Sequence, residues 1–166
     1  MAHQRVYEWG IAEVGDASAP HVVQATADAI AEFCRAARYE NPVYTSLPAA
    51  QEAGLPGAVA PPAMVLALAP ARLAAVAATR ECALPRGPTA GAWAISLVNL
   101  SIEFQGCMLV PGDEVTSITS LENKFQDQKG RFITFRVTAH NQRGEPVVDY
   151  IMTFSWQAFS GLAAGG

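Results

Sequence analysis

The sequence is poor in charged residues, and in positive charge above all. Asp, Glu, Lys and Arg make up only 16% of its 166 residues, and with 11 Lys and Arg residues the formal net charge is −4. A nucleic-acid interface needs clustered basic side chains that displace counterions from phosphates. The composition therefore argues against a nucleic-acid partner and favours a small molecule or another protein.

Cysteine is scarce, and no metal-binding pattern is present. The three cysteines and three histidines are Cys34, Cys82, Cys107, His3, His21 and His140. Cysteines so far apart and odd in number fit neither a disulfide framework nor a zinc site, and the histidines have no partner at metal-ligand spacing. Glycine-rich phosphate loops and the GxSxG nucleophile motif are also missing. We expect reduced thiols and neither a metal nor a cofactor.

Long uninterrupted apolar runs are missing too. No stretch of about 18 apolar residues occurs, and the opening residues MAHQRVYEWG carry no basic segment followed by an apolar one. We therefore expect a cytoplasmic protein without a membrane partner. Because 51% of the residues are hydrophobic, we expect one packed domain over residues 1–160, a frayed tail over 161–166 and a buried subunit interface.

Helical signals occupy the first half of the chain. Apolar residues recur at helical spacing after Thr26, which is of the N-cap type. This helix must stop before Pro42, because the residue preceding a proline is pushed out of the α region. A strand is expected over Val6–Val14, and a short helical turn over Leu47–Ala53, ended by Gly54.

The most distinctive stretch is Ala60-Pro61-Pro62 with the apolar residues that follow it. The proline pair suits a first helical turn, and the next two turns carry no charge. A helix that is apolar on all sides must be surrounded by protein. We expect a buried central helix that Pro70 kinks or breaks.

After Trp93 the apolar residues recur at every second position instead of at helical spacing. The alternating apolar residues of a first half-buried strand are Val98, Leu100, Ile102 and Phe104. Further strands are expected over 115–121, 133–139 and 148–156, with turns at 110–113 and 141–144. Helices first and antiparallel strands last predict an α+β fold, in which a curved antiparallel sheet wraps around the apolar helix.

Two segments before the strands carry a resemblance to a known family. They are the loop Tyr39-Glu40-Asn41-Pro42-Val43-Tyr44 and the turn Gly57-Ala58-Val59-Ala60-Pro61-Pro62. Followed by four strands with Pro-Gly-Asp and Asn-Gln-x-Gly turns, they resemble the MaoC-like branch of the hot-dog fold, the (3R)-hydroxyacyl-thioester dehydratases and enoyl-thioester hydratases. The resemblance runs from Val6 to about Phe159. It is closest to the N-terminal half of two-domain members and to one subunit of heteromeric dehydratases.

The resemblance implies a substrate and a partner. In the family, two hot-dog domains join their sheets and hold an acyl thioester of coenzyme A (CoA) or acyl carrier protein between them. This implies a hetero-oligomer with a second hot-dog subunit and leaves a homodimer open. Backbone N–H groups at the start of the central helix would polarise the thioester carbonyl. The substrate-binding residues expected on this basis are Gly57, Ala58, Val59, Ala60, Pro61, Met64, Leu66 and Asn99.

The catalytic loop departs from the family's pattern Asp-x-Asn-Pro-x-His. With Asn41 and Pro42 laid on Asn-Pro, Tyr39 replaces the Asp and Tyr44 replaces the His, while Glu40 is the only carboxylate in the loop. A tyrosine with the ordinary pKa of about 10 is a poor base near neutral pH. Two interpretations stay open, packing by the tyrosines and a rewired catalytic site at Tyr39, Glu40, Asn41 or Tyr44.

Three hypotheses of function follow. The first is a dehydratase or hydratase subunit of fatty-acid, polyketide or related acyl metabolism, paired with a subunit that carries the Asp and His. The second is a non-catalytic module that binds an acyl thioester or a carrier protein. The third, a hot-dog thioesterase, ranks last because Glu52 lies before the break at Gly54 and the helix start offers no carboxylate.

Overall fold

The computed structural model describes residues 5–86 and 95–156. The described strands are β1 Arg5–Val6, β2 His21–Gln24, β3 Cys82–Ala83, β4 Ile95–Phe104, β5 Glu114–Asp127, β6 Gly130–Asn141 and β7 Pro146–Trp156. The described helices are α1 Ala27–Ala37, α2 Leu47–Glu52, α3 Val65–Leu68 and α4 Leu73–Thr79, with 3-10 turns at Pro42–Tyr44 and Pro62–Met64. The expected tail at 161–166 lies outside the described residues, so the domain bounds stay a prediction.

Five of these strands form one antiparallel sheet in the order β2-β5-β6-β7-β4. The predicted alternation is confirmed in β6, where Ile133, Phe135 and Val137 are fully buried. Strand β5 continues past the expected end at Leu121 to Asp127. The predicted α+β class, with an antiparallel sheet and a central helix, is confirmed.

The central apolar segment begins at the proline pair, as expected, and then breaks. Its 3-10 turn continues into α3, and the chain leaves the helix at Ala69 before α4 begins. Pro70 accounts for the break, because proline lacks the N–H that a continuing helix would use. The side chains of this segment that are buried in the core are Met64, Val65, Leu68 and Ala69.

One face of the central segment is open, contrary to the expectation of a helix surrounded by protein. Leu66 is 39% exposed, and Pro62 and Ala63 lie exposed four and three residues before it, while exposed Ala67 lies four residues after Ala63. Within residues 5–86 and 95–156, one sheet is large enough to cover a helix, and it covers only one side of the central segment. The central helix is therefore buried on one face and exposes an apolar surface on the other.

By length and composition alone, Pro62–Thr79 could cross a membrane, since its 18 residues have a mean hydropathy of 1.5. Its backbone is interrupted between Leu68 and Leu73, however. A lipid-exposed span needs roughly 20 residues of continuous helix, because bilayer lipids cannot satisfy free backbone groups. The segment thus forms two short helices and no continuous span, and the absence of a membrane partner stays a prediction.

The predicted strand over Val6–Val14 is wrong beyond Val6. The chain instead turns back around Asp16, a buried carboxylate that accepts hydrogen bonds from the Tyr7 hydroxyl at 2.6 Å and from Arg80 Nε at 2.6 Å. Burial opposes the charge of Asp16, but the hydrogen bonds outweigh it and hold the pKa of this carboxyl below its ordinary value. Sequence periodicity gave no sign of this polar centre because its members are far apart in the chain.

Candidate functional site

A cavity of about 300 Å³ lies between the start of the central helix and the chain that joins β4 to β5. Its lining residues are Val43, Tyr44, Leu55, Val59, Ala60, Pro61, Pro62, Val65, Phe104, Gly106, Cys107, Met108, Leu109 and Val147. Among the residues that the structure describes, those lining this cavity include no Asp, Glu, His, Lys or Arg. Its chemistry is that of an apolar binding pocket.

The cavity has a closed floor and an open mouth. Its floor includes Val65, Leu109 and Val147, all at most 7% exposed. Its mouth includes Phe104 and Met108, which are 52% and 53% exposed. A ligand would therefore enter past the end of β4 and reach the floor beside α3.

The loop that resembles the family's catalytic loop is positioned by two caps. Helix α1 ends at Arg38 in the left-handed region, and the Tyr39 N–H then donates to the Cys34 carbonyl at 2.9 Å. Asn41 Oδ1 accepts a hydrogen bond from the Val43 N–H at 3.1 Å and so caps the 3-10 turn that carries Tyr44 to the cavity. Asn41 thus has a structural role in shaping this loop.

The two tyrosines that replace the family's acid and base pack against each other. The Tyr39 and Tyr44 rings make an edge-to-face contact at 5.5 Å, and Tyr39 also stacks on Phe33 of α1 at 6.2 Å. Over the described residues, no hydrogen-bond partner is found for either hydroxyl or for the exposed Glu40 carboxylate. Tyr44 alone of the four catalytic candidates lines the cavity.

This arrangement supplies no proton-transfer pair. General acid–base catalysis needs a positioned group within about 2.6–3.2 Å of the proton it moves, supported by a partner that sets its protonation state. The tyrosine pair has edge-to-face ring packing instead of such a contact. The packing interpretation therefore describes the observed contacts, while a catalytic role for Tyr39, Glu40, Asn41 or Tyr44 stays a hypothesis.

The start of the central helix lies at the cavity, but two of its predicted donors are already used. The Ala60 N–H donates to the Leu109 carbonyl at 2.8 Å, and the Val59 N–H donates to the Val43 carbonyl at 3.4 Å. The expectation of free amides over 57–60 is thus corrected, because these two join the helix start to the cavity walls. In the described part of the chain, no acceptor is found for the amides of Gly57 and Ala58.

Five predicted binding residues are not part of the cavity lining. Gly57 and Ala58 directly precede the lining residue Val59, and the other three lie farther away. Met64 is buried in the core, and Leu66 lies on the exposed face of α3. Asn99 is on the sheet face opposite the helix, because it is in register with Thr153, whose hydroxyl hydrogen-bonds across that outer face to Thr134 at 3.0 Å. Asn99 therefore does not border this cavity, and its predicted role in substrate binding stays a prediction.

Sequence reasoning missed the wall formed by residues 104–109. The apolar run from Cys107 to Leu109 directly after a strand was the available signal. Cys107 Sγ accepts a hydrogen bond from Asn141 Nδ2 at 3.4 Å, and burial together with nearby Glu145 raises the pKa of its thiol. A raised pKa keeps this cysteine in the weakly nucleophilic thiol form at neutral pH.

The cavity opens onto an incomplete edge of the sheet. Strand β4 pairs with β7 on one side, and its other side has no strand partner among the described residues. Large apolar side chains along it are exposed, with Leu97 at 47% and Leu100 at 40%, and Phe104 belongs to both this edge and the cavity mouth. A long apolar edge of this kind is a template for pairing with another chain.

No group of three or more His, Cys, Asp or Glu side chains within residues 5–86 and 95–156 is placed to hold a metal ion. The described residues around the cavity likewise form no glycine-rich cradle for a phosphate-bearing cofactor. The absence of a cofactor stays a prediction.

Comparison with known proteins gives one family and a consistent set of folds. The model of the family described as FAS1-like, dehydratase domain region, matches residues 12–150. No curated protein sequence matches the chain.

Three similar solved structures illustrate the fold. The HadBC (3R)-hydroxyacyl-ACP dehydratase complex of Mycobacterium tuberculosis is 20% identical with a TM-score of 0.65, over 85% of this chain and 95% of that one. The ChsH1-ChsH2 complex of the same organism is 22% identical with a TM-score of 0.59, over 83% and 86%. A MaoC-like dehydratase of Rhodospirillum rubrum is 20% identical with a TM-score of 0.63, over 91% and 97%. At these identities the likeness establishes the hot-dog fold.

Proposed function

Since the chain belongs to the family of FAS1-like dehydratase regions, within the MaoC-like hot-dog dehydratases, we propose that it is the acyl-binding subunit of a heteromeric dehydratase or hydratase. Its substrate is a 3-hydroxyacyl or enoyl thioester, and a second hot-dog subunit brings the Asp and His. Either acyl carrier protein or CoA fits as the carrier. A cytoplasmic location is part of this proposal, supported by cysteines that form no disulfide among the described residues.

The observation that carries the proposal is a well-formed apolar cavity whose described lining includes no Asp, Glu, His, Lys or Arg. Dehydration requires a base that removes the α-proton and an acid that protonates the departing 3-hydroxyl, so that water leaves and a double bond forms between the α- and β-carbons. Tyr44 is the only titratable oxygen acid on the cavity lining described above. The described cavity therefore has what binding the acyl group needs and lacks the acid and base that the reaction needs.

A second observation supports the proposal that a partner subunit binds this chain. The unpaired edge of β4 and the open face of α3 around Leu66 are both apolar, and the cavity mouth at Phe104 lies on the same edge. A second hot-dog sheet joined to β4 would bury this surface and place its own loop beside the mouth. Two of the similar structures, HadBC and ChsH1-ChsH2, are complexes by name.

Backbone amides of this chain supply the electrostatic part of the reaction in this proposal. Gly57 and Ala58 precede the helix start, and their N–H groups have no acceptor among the described residues. N–H groups aimed at a thioester carbonyl stabilise the negative charge that develops when the α-proton leaves. The apolar wall around Val59 and Pro61 keeps water away from that oxygen.

The test is to measure hydration of enoyl thioesters by the chain alone and by the chain with a co-purified hot-dog partner. We expect no turnover above background for the chain alone and robust turnover for the pair. Robust activity of the highly purified chain alone would overturn the proposal. A partner whose own Asp and His are dispensable in the pair would overturn it as well.

Gly57→Ala tests the amide donors in that pair. A Cβ at this position would meet only Leu47 Cδ1 at 3.9 Å, so the substitution leaves the fold intact. We expect a loss of turnover of about tenfold, because the amide N–H remains but the added methyl group hinders the close approach of the thioester carbonyl to it. The control is Gly10→Ala, where a Cβ would meet nothing within 4 Å and activity stays unchanged. Equal activity of both variants would show that the carbonyl does not approach the backbone at Gly57.

The rival function is a module that holds an acyl group or a carrier protein without any reaction. The same apolar cavity favours it, because binding alone needs no acid or base. The co-purified pair decides between the two functions: a pair that binds acyl thioesters and shows no turnover would support the rival. A thioesterase ranks below both, since the described cavity lining includes no carboxylate that could activate water.

A further inference from the structure

Val147 reaches the cavity floor because of an irregularity in β7. Ala139 of β6 is in register with Val148, and the next residue, His140, is in register with Pro146. Val147 is thus an extra residue in β7 without a register partner in β6, which is the definition of a β-bulge.

The bulge changes the direction in which Val147 points. In a regular strand, neighbours face opposite sides of the sheet, so a residue next to inward-facing Val148 would face outward. The outward direction in β7 is shown by Asp149, which pairs with Arg136 on the outer face. Val147 and Val148 are instead both buried in the same core, at 2% and 1% exposure. Bulges re-aim side chains in this way and occur frequently beside active sites.

Only one of these two valines borders the cavity. Val147 lines it together with Val65 and Leu109, and Val148 does not. The opposite wall is held in place by the hydrogen bond from the Ala60 N–H to the Leu109 carbonyl at 2.8 Å. The side chains of the cavity floor, Val147 among them, therefore set how deep into the cavity a ligand can reach.

The cavity volume sets the size of ligand that fits. If each heavy atom takes roughly the 30 Å³ that a water molecule occupies, the cavity of about 300 Å³ holds about ten heavy atoms. This is the size of a thioester group with an unbranched acyl chain of about eight carbons. The described lining carries no charge, so carboxylated or otherwise charged acyl groups are disfavoured.

We propose that Val147 is the residue that limits acyl length, and that the natural acyl group is an uncharged short or medium chain. This inference rests on the proposed function and names its substrate class. A larger side chain at 147 shortens the longest acyl group admitted, and a smaller one lengthens it.

The experiment measures the affinity of the full chain, and of its complex with the partner, for a series of CoA thioesters from butyryl to palmitoyl. The variants are Val147→Ala, Val147→Leu and the control Val148→Ala, which removes the same atoms at the same burial but away from the cavity. We expect Val147→Ala to move the length cut-off up by about two carbons, because it removes two methyl groups. Val147→Leu should move it down, and Val148→Ala should leave it in place.

The possible outcomes distinguish failure of the Val147 inference from failure of the proposed function. If wild type binds acyl thioesters with a cut-off that Val147→Ala and Val148→Ala shift equally, or that neither shifts, the inference is wrong and the proposed function stands. Binding of all lengths with equal affinity would likewise overturn the inference and leave the function in place. If wild type binds no acyl thioester, alone or in the complex, both fail. A melting temperature for each variant shows that it is folded.

Discussion

Two tyrosine-containing regions of this molecule differ in how their hydroxyls are used. At the N-terminal turn, Tyr7 is fully buried and its hydroxyl donates to Asp16, which also accepts from Arg80. In the loop beside the cavity, Tyr39 and Tyr44 contact each other through their rings, and their hydroxyls have no partner among the described residues. Among the described residues, the Tyr7 hydroxyl thus stabilises the fold, while the hydroxyls of Tyr39 and Tyr44 make no hydrogen bond.

We expect the largest effect on stability from removing the carboxylate of Asp16, which Tyr7 and Arg80 both contact. Asp16→Asn removes the charge that faces Arg80 and leaves the Tyr7 hydroxyl with a weaker acceptor, so we expect a loss of about 2–3 kcal/mol in the free energy of unfolding. Urea unfolding at neutral pH measures it. Glu13→Gln is the matched control, because this exposed carboxylate also pairs with Arg80 but gains little from doing so in water. Equal losses for both variants would contradict a buried polar centre.

The second prediction concerns the open edge beside the cavity. Leu100→Glu places a charge on the exposed apolar side of β4, where we propose that the partner subunit binds. We expect the dissociation constant of the pair to rise at least about tenfold, which corresponds to roughly 1.4 kcal/mol. The control is Val22→Glu on β2, the opposite edge strand of the same sheet, where Val22 is 54% exposed. If Val22→Glu weakens the complex more than Leu100→Glu does, the interface lies on the β2 edge and the proposed β4 interface is wrong.

Sequence patterns predicted the elements that periodicity and prolines control. The Thr26 cap, the break at Pro70 and the alternating strands are confirmed because each depends on residues close together in the chain. The polar centre at Asp16 was missed because Arg80 is distant in sequence and Tyr7, although nearer, lies at no helical or strand spacing from Asp16.

The candidate site was predictable to a similar extent. Tyr44 and the helix start at Val59–Pro61 do line the cavity, as their places in the family's motifs implied. Val147 carried no sequence signal, since a bulge depends on the register between two strands. The position of Asn99 on the outer face of the sheet likewise depends on the register of β4 with β7, which the sequence does not show.

The third prediction is a loss of stability in acid. Asp113 is buried and hydrogen-bonded by Arg143 at 2.8 Å, and although burial opposes its charge, hydrogen bonds outweigh it and lower the pKa of this carboxyl, as for Asp16. A carboxyl with a lowered folded-state pKa stabilises the fold above its unfolded pKa of about 3.9, and this stabilisation is lost as the pH falls through the folded value.

The free energy of unfolding should therefore fall as the pH drops below about 4. Asp113→Asn should flatten this dependence, and Glu114→Gln, which alters an exposed neighbour, should leave it unchanged. Unfolding by urea at several pH values measures the slope. A slope identical in wild type and Asp113→Asn would show that this carboxyl is not involved.

The smallest effect is expected from removing one oxygen atom at Tyr44. Tyr44→Phe keeps the ring contact with Tyr39 and removes a hydroxyl that has no partner in the described chain, so turnover by the subunit pair should stay within about twofold of wild type. Glu40→Gln should behave in the same way. The identical substitution Tyr7→Phe, which deletes a buried hydrogen bond, should cost about 1 kcal/mol in stability. If Tyr44→Phe instead lowers turnover tenfold without changing the melting temperature, the loop is a rewired catalytic site, and the two regions differ less than their contacts indicate.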